Sequence, residues 1–256
     1  MECGSAAPAD FMRSQHASPF PARAARFAAL ALGLFAALVA QEVQQHGFVF
    51  EEWVRATFFA GYKPTSYTQQ WDIPAAVNRE HGGVPVNPKV SKFGSPLDLG
   101  DALRQFRIEE PFLFVVGFWQ QEGDEKRFVN IVAPRVEPST WHRLWFPIKL
   151  ADLEKLDAVI KDRSLTPEQS RAAALKIKNA PPFTKSIMQV NPKIDSSTQR
   201  RLQCSLRFDD VFKQLAPGAV QRPQDHPKLW GVEFPQPIAS KAREFNRGKD
   251  DEKKRE

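Results

Sequence analysis

A chain of 256 residues is long enough to bury a substantial core, and 42% hydrophobic with 11% aromatic residues excludes a disordered polymer. A formal charge of +6 leans toward a polyanionic partner. The two cysteines, Cys3 and Cys204, lie far apart, so neither a disulfide framework nor a multi-cysteine zinc site is expected, and a reducing compartment fits.

Residues 1–22 contain Pro8, Pro19 and Pro21 and read as a disordered arm. Residues 27–40 are apolar and follow Arg13, Arg23 and Arg26, the pattern of a signal-peptide core or of an alanine-rich buried helix. A membrane span needs about 20 apolar residues, so no stable membrane association is expected. The apolar spacing continues through Gln41–Gln44, which a cleaved leader does not require. The reading adopted is therefore a core helix over residues 24–45 in a cytoplasmic protein, with export as the alternative. The ordered domain is expected over residues 23–236 and a charged tail over 237–256.

A second helix is predicted over residues 48–60, with Phe50, Trp53, Val54 and Phe58 at helical spacing. Strands are predicted over 67–73 and 83–93. Pro85 and Pro88 lie inside the latter, and proline cannot donate to a ladder, so this strand belongs at an edge or a bulge. Side chains two apart share a face, which puts Asn87, Lys89 and Ser91 on one side and Val84, Val86 and Val90 on the other. Residues 97–106 read as a helix, and 112–119, apolar throughout, as a strand buried on both faces. A polar loop over 120–126 leads to a returning strand over 127–136.

Helices follow over 140–146, 150–161 and 167–178, the last opened by Thr166 as N-cap, Pro167 and Gln169. Strands are predicted over 186–194 and 201–208, a helix over 209–215, and a docking segment over 229–234. The tetrapeptide Val-Asn-Pro-Lys occurs at 86–89 and again at 190–193, which makes Lys193 a rival to Lys89.

The chemistry concentrates between Trp71 and Trp119. Asp72 ends one strand, and Asn87 and Lys89 sit on one face of the next. A carboxylate can hold a hard divalent cation beside a phosphate, and a nearby lysine can orient water or offset developing charge. Each residue also has a plainer role: Asp72 before Ile73-Pro74 as a turn aspartate, Lys89 as a solvated strand lysine, Asn87 as a turn former. No phosphate-binding glycine loop, dinucleotide fingerprint or histidine metal spacing is present.

Helix, acidic strand, lysine strand, helix and buried apolar strand, with the order Asp72…Asn87-x-Lys89, resemble the PD-(D/E)xK nuclease superfamily. The resemblance covers residues 48–136 and implies an α/β fold: a restriction-endonuclease-like mixed central sheet flanked by helices, with a helical insertion. It further implies a metal-dependent endonuclease acting on double-stranded DNA as a homodimer, in restriction, defence or repair, with Mg2+ as cofactor and Mn2+ as a substitute. Asp72, Asn87 and Lys89 take the catalytic positions, and Asn87 departs from the usual acid, bringing no charge. A helix ahead of the acidic strand often adds a glutamate in this superfamily. Glu51 is preferred over Glu52 because it flanks the apolar stripe. Arg104, Gln105, Arg201 and Gln203 are the expected nucleic-acid contacts, each with an ordinary surface role as its counterpart. The other reading of the whole is a catalytically inactive nuclease fold that binds nucleic acid or protein.

Overall fold

A computed structural model describes residues 47–64, 69–235 and 237–239. In chain order its first elements are α1 (residues 47–58), β1 (Val86–Lys92), β2 (Leu97–Asp101), α2 (Ala102–Phe106) and β3 (Phe112–Glu122). Next come β4 (Glu125–Val132), β5 (Arg135–Val136), α3 (Pro138–Trp145), α4 (Leu150–Lys161) and α5 (Pro167–Lys178). The chain ends with β6 (Gln189–Ile194), β7 (Arg200–Leu206), an irregular helical stretch over residues 208–215, β8 (Lys228–Leu229), β9 (Val232–Glu233) and β10 (Ile238–Ala239). The arm over 1–22 and the helix expected over 24–45 lie outside the described residues.

The apolar run of β3 is the spine of the protein. Phe112, Phe114, Val116 and Phe118 belong to one buried cluster, and Leu113 and Val115 to a second. Both faces of the strand are covered, which is why no position alternates to polar. The first cluster is filled by Trp141, Leu144, Leu153 and Leu156 from the helices; the second by Phe50 and Val54 of α1 with Phe128 and Phe234.

The main sheet is mixed and five-stranded: β1 runs parallel to β3, β4 antiparallel to β3, and β5 and β10 extend it. A separate antiparallel sheet has the order β2-β7-β6. The protein is thus α/β, with a mixed sheet flanked by helices. Pro85 and Pro88 fit because β1 is an edge: on its outer side, among the described residues, only Val86 pairs, through an isolated bridge to Ile73.

Several boundaries differ from expectation. The strand predicted over 67–73 is reduced, among the described residues, to that one bridge at Ile73. Residues 97–101, expected to be helical, form β2 instead, and only 102–106 are helix. The sequence Leu-Asp-Leu-Gly-Asp alternates buried and exposed, and its ladder partner is β7, about a hundred positions away, invisible to local periodicity. Gly100, at φ 81°, sits at a break in that register, where a positive φ is needed for the bulge. The long polar loop over 120–126 shrinks to Gly123 and Asp124, because Gly123 adopts φ 57° and closes the hairpin tightly. Ile238–Ala239, assigned to the tail, instead adds a strand to β4.

Other expectations hold. Helices α4 and α5 have the predicted limits. Thr166 Oγ1 accepts from Gln169 N at 3.3 Å while Thr166 N donates to Gln169 Oε1 at 3.0 Å, closing the capping box. Leu229 and Phe234 are buried in the second cluster.

Arg200, the first residue of β7, is buried and donates to the carbonyls of Ile160 and Asp162 at the C-terminal end of α4 and of Leu165 in the turn that follows. The end of α4 carries carbonyls without intrahelical donors and the negative end of the helix dipole. Arg200→Met is expected to destabilise the fold by about 3 kcal/mol, since it removes the hydrogen bonds by which one buried guanidinium ties β7 to these carbonyls. A urea midpoint unchanged from wild type would rule out this role.

Candidate functional site

The site is assembled at the outer edge of β1. Trp71, which is buried, donates from Nε1 to Glu110 Oε1 at 2.6 Å and packs on Phe112, with ring centroids 5.1 Å apart. Ile73, fully buried, exchanges two backbone hydrogen bonds with Val86, at 2.8 and 3.2 Å. Trp71 is anchored in the first cluster and Ile73 in the second, so Asp72 between them is held at the strand edge.

Along β1, Val84, Val86 and Val90 pack on the second cluster, which leaves Asn87, Lys89 and Ser91 for the opposite face. Lys89 Nζ donates to Asp72 Oδ2 at 3.3 Å and to the Pro88 carbonyl at 2.8 Å. Asn87 is only 4% exposed, and its Oδ1 is buried with no hydrogen-bond partner among the described residues. A buried acceptor left unmet costs free energy and asks for a cation, a water or a substrate donor.

Helix α1 brings Glu51 to the same place. Its apolar side, Phe50 and Val54, is sunk in the second cluster. Glu51 therefore lies half-buried beside β1, while Glu52 is exposed and pairs with Arg55 at 3.0 Å. Burial pushes the Glu51 carboxyl above its ordinary 4.5; Lys89 pulls it down, Asp72 pushes it up and Arg55 pulls it down. Because the folded value is raised, the unfolded chain gives up this proton first as pH increases. The stabilising contribution is whole below 4.5 and is lost as pH climbs through the raised folded value. Glu51→Gln should therefore match wild-type stability near about pH 4 and exceed it near about pH 8. Denaturation midpoints at the two pH values check this; a gap independent of pH contradicts it.

One cleft of about 780 Å³ is lined by Glu51, Asp72, Asn87 and Lys89 together with Arg104, Gln105, Arg201 and Gln203. Residues from α1, the segment before β1, β1, α2 and β7 are thus brought together, though they span about 150 positions of sequence. Arg104 is exposed on α2. Arg201 pairs with Asp195 at 2.9 Å. Gln203 lies opposite Asp101 in the β2–β7 ladder. Gln105 corrects the expectation of a surface reader. It is buried, its side-chain Nε2 donates to the Leu99 carbonyl at 3.0 Å, and its backbone carbonyl accepts from Trp141 Nε1 at 2.7 Å. It braces the junction of β2, α2 and α3.

Three charged cleft residues were missed in the sequence. Asp98 and Asp101 were hidden by the helical reading of 97–106. Arg55 could have been found, since it stands four residues after Glu51 on one helix, the spacing at which side chains meet. Cleft carboxylates (Glu51, Asp72, Asp98, Asp101) and cations (Arg55, Lys89, Arg104, Arg201) balance in number. The rival Lys193 is exposed on β6 and does not line the cleft. Cys204 is fully buried in β7, and burial, with Asp98 and Asp101 adding to it, pushes its thiol far up, so it is unreactive.

Among the described residues no group of three or more histidine, cysteine or acidic side chains is placed to hold a metal. The donor set at the edge of β1 is two carboxylates, Glu51 and Asp72, and the unmet amide oxygen of Asn87. All are hard oxygen donors. That set fits Mg2+, which keeps several waters and binds through one or two carboxylates plus substrate phosphate. Among the described residues no helix is long and apolar enough to cross a membrane.

A scan against protein-family models finds no match, and neither the curated proteins nor the solved structures give one.

Proposed function

We propose that this chain is a divalent-metal-dependent nuclease that hydrolyses phosphodiester bonds of double-stranded DNA, built on a restriction-endonuclease-like core. The observation that carries the proposal is the meeting of Asp72 and Lys89, 3.3 Å apart, in one cleft with desolvated Glu51 and the unmet Asn87 Oδ1. Asp72, Asn87 and Lys89, which the resemblance puts in the catalytic positions, line a single cleft with Glu51, and this convergence supports the reading. Its place in the cell would be cytoplasmic restriction, defence or repair, with a homodimer serving to cut both strands.

Asp72, Glu51 and Asn87 Oδ1 would hold Mg2+ or Mn2+. When bound, the cation supplies positive charge to the phosphate and makes water a better nucleophile. The chain's own contribution is positional. Asp72 is fixed from both sides by Trp71 and Ile73. Lys89, held by the Pro88 carbonyl, places its ammonium where negative charge develops on the phosphate or where a water must be oriented. Arg104, Arg201 and Gln203 would meet the DNA backbone and base edges from the far wall.

A second reading, an inactive module that binds nucleic acid or protein, is favoured by one observation: Asn87 brings no charge where an acid is usual. Plasmid and single-strand cleavage with magnesium and with manganese decides between the two. Cutting that requires metal and is lost in Asp72→Ala supports the nuclease. Salt-sensitive DNA binding without cutting supports the module. Neither cutting nor binding refutes both.

A further inference from the structure

Arg55 is a largely buried cleft residue with hydrogen-bonding capacity to spare. Its side chain is only 13% exposed. Nη2 reaches Glu52 Oε2 at 3.0 Å, a contact on the exposed flank of α1. Nη1 lies 3.8 Å from Glu51 Oε2, too long for a hydrogen bond. Nε is buried and has no partner among the described residues. A guanidinium carries five donors in a planar fork, and a buried donor without an acceptor costs free energy.

Its neighbours say what the missing acceptor is. Arg55 shares the cleft with Glu51, Asp72 and Lys89, and on the nuclease reading both Glu51 and Asp72 serve a cation. Once Glu51 serves a cation, its loose hold on Arg55 is the weaker of its two attractions. An anionic oxygen beside that cation would meet the fork. The planar fork matches a tetrahedral phosphate in a way a lysine ammonium does not. Among the described residues the cleft then has a buried acceptor without a donor, Asn87 Oδ1, and a buried donor without an acceptor, Arg55 Nε.

We propose that Arg55 grips a backbone phosphate of the DNA strand beside the Glu51–Asp72 carboxylates. This rests on the nuclease reading, and it adds a substrate-binding residue that no motif in the sequence marks.

The test is duplex binding by fluorescence anisotropy with calcium in place of magnesium, so that a hard divalent cation is present, over a range of salt, with the full chain. Wild type, Arg55→Met, Arg55→Lys and Glu52→Gln are compared. Arg55→Met is expected to weaken binding about tenfold at low salt. The slope of log affinity against log salt should shrink by about 0.9, one phosphate contact fewer. Arg55→Lys should restore the slope but only part of the affinity, since it keeps the charge and loses the fork. Glu52→Gln releases the guanidinium from its one close acceptor and should tighten binding. An Arg55→Met protein that melts lower but keeps the wild-type slope shows a purely structural residue and overturns the proposal. If Arg55→Met does not fold, unchanged binding in Glu52→Gln overturns it as well. Wild-type binding and cutting with an unaltered slope in the variant sink this inference alone, whereas a wild type that binds no duplex sinks the nuclease reading with it.

Discussion

Lys89→Met is expected to slow metal-dependent DNA cleavage by about a hundred- to a thousand-fold, the usual loss when one group stabilising transition-state charge is removed. Methionine keeps the length and much of the apolar stem, so the strand should be undisturbed. The side chain of Lys89 is 23% exposed and that of Asp72 35%, and so open an ion pair contributes no more than about 1 kcal/mol to folding. A loss of rate with an unchanged melting temperature therefore separates chemistry from stability. Lys89→Arg should not restore the rate, because a planar guanidinium cannot reproduce the point charge held 2.8 Å from the Pro88 carbonyl. Duplex binding should survive in Lys89→Met to within a few-fold, as one phosphate contact among several. Single-turnover cleavage at saturating DNA is the measurement. An undiminished rate removes Lys89 from the mechanism, and Lys193, exposed and outside the cleft, offers no replacement.

Gly117→Ala should produce the largest loss of stability of any single-methyl change in the main sheet, about 3 kcal/mol. Gly117 is in β3, between Val90 of β1 and Ile131 of β4. A Cβ there would lie 2.6 Å from Phe128 Cε1 and 2.7 Å from Phe50 Cε2. Those two rings stack at 4.9 Å with 15° between their planes, so neither can turn aside without breaking the stack. Interiors packed at crystal-like density have no slack to absorb the methyl. For a domain of this size a loss of that magnitude lowers the melting temperature by about 10 °C.

The consequence reaches the cleft. Phe50 is the residue before Glu51, so a displaced ring moves α1 and with it Glu51 and Arg55. Reduced cleavage at temperatures where Gly117→Ala is still folded is therefore expected. A variant that melts like wild type would mean that α1 does not sit on β3 as described.

Much of the site was legible because β-strand geometry is local. The two-residue spacing of Asn87 and Lys89 puts them on one face whatever the strand pairs with. The same rule puts Val84, Val86 and Val90 opposite, and that is the face packed on α1. The unbroken apolar run of β3 implied cover on both sides, and two clusters provide it. Thr166, Pro167 and Gln169 announced the start of α5 because a capping box closes within four residues. The choice of Glu51 over Glu52 rested on its place beside an apolar stripe, which is also a local property.

What could not be read locally was decided by partners distant in the chain. Residues 97–101 are a strand because β7 pairs with them, and no helix propensity competes with a row of backbone hydrogen bonds plus buried Leu97 and Leu99. That misreading concealed Asp98 and Asp101. Among the described residues, the strand expected before Asp72 is a single bridge, from Ile73 to Val86 of β1. Gln105 looked like a surface amide and is buried, since Leu99 and Trp141 close over it. The sequence by itself determined which residues share a face, where α5 begins and which strand lies in the middle, since these follow from backbone periodicity and short-range hydrogen bonds. Only the tertiary structure decided that Asp72, Lys89, Glu51 and Arg55 share a cleft with the β2–β7 wall, because long-range strand pairing and burial of α1 against β3 set those distances.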